Sequence, residues 1–183
     1  MQEIIRFHIP CRLDFHKMVE DFAEIIGKYI RSIASEEFTE DLKIVMSDVF
    51  QNIVNYSNTA AQNELVRFQF ELGYQLFLIS IYDYGPGFKA DQFFPPYPKE
   101  YIGKSYELCT TENGEVKFTV IDPVTIQFSF SENNQNYEPH SEDEKNAYMR
   151  CKNLFRITKM MDAVSYSYIG HGKYDWKLIK HFK

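Results

Sequence analysis

The chain has 183 residues, enough for one domain with a substantial core and too few for two comfortable ones. Hydrophobic residues make up 44% and aromatics 16%, which excludes a disordered chain, and a net charge of −6 without any Lys/Arg run argues against nucleic acid as partner. The opening MQEIIRFHIP has neither a basic region nor a long apolar one, and no apolar run reaches membrane-spanning length, so neither a signal peptide nor a membrane is expected.

In chain order, EIIRFHI (3–9) reads as a short strand ended by Pro10. Residues 14–34 carry Phe15, Met18, Val19, Phe22, Ile25, Ile26, Tyr29, Ile30 and Ile33 at helical spacing, which predicts a helix with one buried face. A second helix follows in FTEDLKIVMSDVFQNIVNYSN, with Thr39 as the expected N-cap and a stripe from Leu42 to Val54. Alternating runs at 65–71 and 75–83 meet at Gly73 and predict an antiparallel hairpin. FFPPYP excludes regular structure, because its prolines block helix and ladder alike.

Two or three short β runs then surround Asn113-Gly114 and Asp122-Pro123, which predicts a small β-meander. After the polar connector SENNQNYEPHSEDEKN, Ser141 and Glu144 form a capping-box pattern that opens a helix to about Asp162. The runs 164–169 and 174–182 flank GHGK as a terminal hairpin, with His171 a turn residue. Cys11, Cys109 and Cys151 are odd in number and widely spread, so neither a disulfide nor a zinc site is expected, and a reduced, cytoplasmic setting is. This order predicts an α/β (α+β) two-layer sandwich with a mixed, mostly antiparallel sheet, helices covering one face, and residues 89–140 inserted in one domain of 1–183.

Two features carry chemistry. Asp48 and Asn52 stand one turn apart on the second helix, at the edge of its apolar stripe, where they either line a cleft or are merely solvated. After one hairpin comes Asp83-Tyr84-Gly85-Pro86-Gly87-Phe88. A carboxylate at a strand end can accept a hydrogen bond from an exocyclic amine, and glycines beside it let backbone approach a planar base. Alone, D-x-G-x-G is also an ordinary turn. Together with D-x-x-x-N on a helix it is a more specific constellation.

These motifs resemble the GHKL nucleotide-binding superfamily, and within it the stand-alone bacterial anti-sigma-factor serine/threonine kinases. IVMSDVFQNIVNYS is similar to their asparagine box, IYDYGPGF to their first glycine box, and NLFRITKMMDAVSY with GKYDWKLIKHF to their closing helix and strands. The likeness spans residues 1–88 and about 150–183. It implies a histidine-kinase-like ATPase fold that binds ATP or ADP with Mg²⁺. Asn52 would be the metal ligand, Asp48 the catalytic base or water-positioning group, Asp83 the adenine reader, and Gly85 and Gly87 the glycines beside the base. It also implies a sigma factor or its antagonist as protein partner, and a homodimer as a candidate assembly.

Two departures stand out. Asp48 replaces a glutamate and is one methylene shorter, and the phosphate-cradling second glycine box is replaced by Cys151-Lys152-Asn153 inside the predicted last helix. There Arg150 and Lys152 read most simply as a solvated face. The inserted meander is either a sheet extension or a substitute lid or docking element. Three functions stay open: an ATP-dependent protein kinase, a catalytically degenerate interaction module, and a structural domain whose glycine box is only a turn.

Overall fold

Eight strands and three helices form in a computed structural model that describes residues 3–133 and 138–182. They are β1 (Glu3–Pro10), α1 (His16–Tyr29), α2 (Glu36–Tyr56), β2 (Leu65–Gly73), β3 (Leu76–Tyr84), β4 (Ser105–Thr111), β5 (Gly114–Asp122), β6 (Thr125–Glu132), α3 (Glu142–Met160), β7 (Ala163–Gly170) and β8 (Lys173–His181). Part of the expected polar connector, residues 134–137, lies outside the described residues. Among those described, no helix is long and apolar enough to cross a membrane.

The α+β fold is built on one sheet in the order β1-β2-β3-β8-β7-β6-β5-β4. Every described strand pairing is antiparallel, so the expected mixed sheet is corrected: each neighbour in the order runs back along the last. The terminal hairpin sits in the middle, with β8 against β3 and β7 against β6. The β-meander is therefore an extension of the main sheet. It joins through three register pairs, Thr125–Ser167, Ile126–Tyr166 and Gln127–Ser165.

Alternation follows burial closely in the central strands. Val66, Phe68 and Phe70 of β2, Phe77, Ile79 and Ile81 of β3, and Tyr174, Trp176 and Leu178 of β8 are buried. They share one core with Val19 and Ile26 of α1, Val45, Met46 and Val49 of α2, and Leu154 and Ile157 of α3. Helix α2 is capped four residues earlier than expected: Ser35, not Thr39, accepts the Phe38 amide proton at 3.2 Å. Thr39 instead fills the space beside Gly27 of α1, where a Cβ would lie 2.4 Å from its Cγ2. The expected first helix is shorter, entered by a single 3-10 turn at Leu13–Phe15. Helix α3 opens on the expected capping box, Ser141 with Glu144.

The expected absence of a disulfide is overturned. Cys109 on β4 and Cys151 on α3 form a disulfide with Cα atoms 5.9 Å apart, while Cys11 is free and buried. Wide spacing along the chain misleads here because the meander folds back against α3. The bridge closes a loop of 42 residues, for which chain entropy gives about 2–4 kcal/mol of stabilisation. Reduction should lower the urea midpoint accordingly, and Cys109→Ser should reproduce the loss without reductant. An unchanged midpoint in both would show that the crosslink does not constrain the unfolded chain.

Candidate functional site

The site grows from two helices meeting side by side. On α2, Asp48 and Asn52 are 3% and 5% exposed, so neither is a solvated flank. On α3, Asn153 and Arg156 stand one turn apart and face them. Arg156 grips the Asp48 carboxylate with both arms, Nε to Oδ2 at 2.8 Å and Nη2 to Oδ1 at 2.6 Å. Asn153 Nδ2 donates to Asn52 Oδ1 at 3.0 Å and to Gln51 Oε1 at 3.1 Å, and Asn153 Oδ1 accepts from Arg156 at 3.3 Å. Asn52 Nδ2 is buried without an acceptor. Despite its ion pair, the Asp48 carboxyl is pushed up to about 6, because loss of water outweighs Arg156.

Asp83 ends β3. The β3–β8 register sets it opposite Tyr174, and the neighbouring row brings Ile81, Trp176 and Tyr166 to the same face. It is 4% exposed and accepts from the Tyr166 hydroxyl at 3.0 Å. Burial pushes its carboxyl up to about 7 against the opposing pull of Tyr166 and the Trp176 indole, and the same burial holds the Tyr166 hydroxyl well above its usual range. The turn that follows is fixed from both sides. Thr59 Oγ1 accepts from the Tyr84 amide at 2.9 Å, and Tyr97 donates to the Phe88 carbonyl at 2.7 Å. Gly87 has φ +78°, and a Cβ there would meet the Tyr174 hydroxyl at 2.5 Å. Packing within the chain thus accounts for this glycine.

Asn52, Asp83, Gly85 and Gly87 do line one cleft, together with Phe88, Tyr166 and Arg150. Asp48 does not. It opens on a separate polar groove of about 340 Å³ with Lys17, Glu20, Lys43 and Arg156. The cleft itself encloses only about 20 Å³, room for a single water. Arg150 forms part of its wall, with the guanidinium carbon 4.8 Å from the Phe88 ring centre and 5.3 Å from that of Tyr56. The expected solvated face of α3 is corrected at this residue: Arg150 is half-buried, and desolvation lowers its basicity. Residues 150–153 are helical, as expected, so their amides are committed within α3 and offer no cradle for phosphate.

Arg156 and Tyr166 had no place in the sequence reading of the site, and Arg150 and Asn153 entered it only as a solvated face and a lost glycine box. The trace the sequence holds of the helical three is the spacing of Arg150, Asn153 and Arg156, three residues apart along one stretch of helix. As placed, the side chains do not fit adenine nucleotide with Mg²⁺. Arg150 lies against Phe88 beside the cleft, the Asn52 oxygen is bonded to Asn153, and Asp48 is clamped by Arg156. Compared with known proteins, the chain matches no family model and no curated protein.

Proposed function

We propose that this chain is a regulatory protein-interaction module on a two-layer, histidine-kinase-like ATPase scaffold. On this reading it is a catalytically degenerate relative of the anti-sigma-factor kinases, which holds a sigma-like factor or its antagonist without turning over nucleotide. The element order and the meeting of Asn52, Asp83, Gly85 and Gly87 at one cleft support the scaffold. The observation that carries the loss of turnover is Arg150, which occupies the space between Phe88 and Tyr56 where a base would stack.

One observation favours an active kinase instead: the same four residues converge, and Asn52 Nδ2 remains without a partner. That reading requires Arg150 to leave the cleft. Calorimetric titration with ATP and ADP, each with and without Mg²⁺, distinguishes the two. The expected result is no saturable binding at millimolar nucleotide. Mg²⁺-dependent binding of either nucleotide would overturn the degenerate reading in favour of the kinase.

A further inference from the structure

Behind the cleft lies a second opening. Tyr56, Leu108, Cys109, Ala147, Arg150, Cys151 and Leu154 enclose a groove of about 320 Å³ with a mostly apolar lining. That volume lies within the range of small-ligand sites, about 300–1,000 Å³. Arg150 and Tyr56 belong to both openings, so the guanidinium stands at the partition between cleft and groove.

Three features suggest a built site rather than a packing gap. First, Leu108 and Cys109 are consecutive residues of β4, which regular pleating would send to opposite faces. The β4–β5 register slips between Glu107 and Cys109, and this bulge lets both neighbours line one groove. Second, the Cys109–Cys151 disulfide ties that strand to α3, so the two walls are held at a fixed separation. Third, Arg150 is half-buried against the Tyr56 and Phe88 rings, and among the described residues no carboxylate lies within ion-pair distance of it. The rings of Tyr56 and Phe88 offset part of its desolvation through their π faces. They offer no oxygens to a planar fork of donors, which is shaped for a carboxylate.

We infer that the groove binds a small monocarboxylate with an apolar tail, its head on the Arg150 guanidinium and its tail against Leu108, Ala147, Leu154 and the disulfide. A carboxylate gives both arms of the guanidinium a charge-assisted hydrogen bond, and an apolar tail removes the exposed lining from water. Phosphate-bearing ligands fit less well, since a dianion would require a second cation and Arg150 is the one basic residue lining the groove. The inference rests on Arg150 standing between cleft and groove, and not on the reading of the cleft itself.

Octanoate is the probe, with octanol as its uncharged match, titrated into the full oxidised chain by calorimetry or by NMR shifts of Ala147 and Leu154. Octanoate should bind saturably, and octanol at least about tenfold more weakly. Arg150→Lys keeps the charge but loses the fork, and should weaken octanoate several-fold. Ala147→Trp, at an exposed position of α3, should block the tail while leaving Arg150 in place. Equal affinity for octanol and octanoate, no saturable binding, or an Ala147→Trp variant that binds octanoate unchanged would each overturn the inference.

Discussion

Replacing Arg156 by alanine should destabilise the fold by about 2–4 kcal/mol at pH 8, far more than a half-exposed surface arginine would suggest. The reason lies with its partner. Asp48 is 3% exposed and receives both of its charge-assisted hydrogen bonds from Arg156. Without them the carboxylate is left in the core unpaired, or it must take up a proton. Because its carboxyl already sits at about 6, lowering the pH to 5 neutralises it and should shrink the penalty. Urea unfolding of wild type and Arg156→Ala at both pH values measures this. The double variant Asp48→Leu with Arg156→Met, which removes both charges, should recover most of the loss. A single variant as stable as wild type at pH 8 would mean that the pair contributes nothing and that α2 and α3 are held by their apolar contacts alone.

Asp83→Asn should act in the opposite direction and stabilise the protein at pH 8 by about 2–4 kcal/mol. The amide oxygen can still accept from Tyr166, while the cost of a buried charge disappears. The sign follows from the raised carboxyl. Its folded value of about 7 lies above the ordinary 3.8, so the native state holds the proton more tightly than the unfolded chain. The stability it contributes is complete below about pH 4 and is lost as pH rises through 7. Asp48 and Asp175, both at about 6, slope the same way, so the wild-type melting temperature should be higher at pH 5 than at pH 8. Asp83→Asn should flatten that slope. A variant less stable than wild type at pH 8 would mean that the ionised carboxylate is satisfied in the fold, and that Arg150 compensates it at longer range.

Much of the architecture was legible because local pattern and burial agree. Heptad-like stripes placed α1 and α2, strict alternation placed β2 and β3, and Ser141 with Glu144 marked the start of α3. The cleft was legible too, since Asn52, Asp83 and the two glycines lie on elements whose ends a hairpin brings together. What could not be read was pairing between elements about a hundred residues apart. Arg150 and Arg156 look alike in the sequence, charged and helical, yet one stacks between aromatic rings and the other neutralises a buried acid. The disulfide and the bulge at Leu108 are hidden for the same reason: both depend on how the meander docks, which its own residues do not state. Thr39 misled because it suits a cap chemically, while the close approach of Gly27 gave it another use.

The central position of the terminal hairpin has a consequence for how the protein is made. Strands β1–β3 and β4–β6 form two separate ladders, and only β7 and β8 bridge them. A ribosome delivers that bridge after every other strand. Until then the nascent chain presents two open rims, along β3 and along β6, each with unpaired amides and carbonyls beside apolar side chains. Synthesis of this chain therefore leaves both rims open until the last hairpin slides between them.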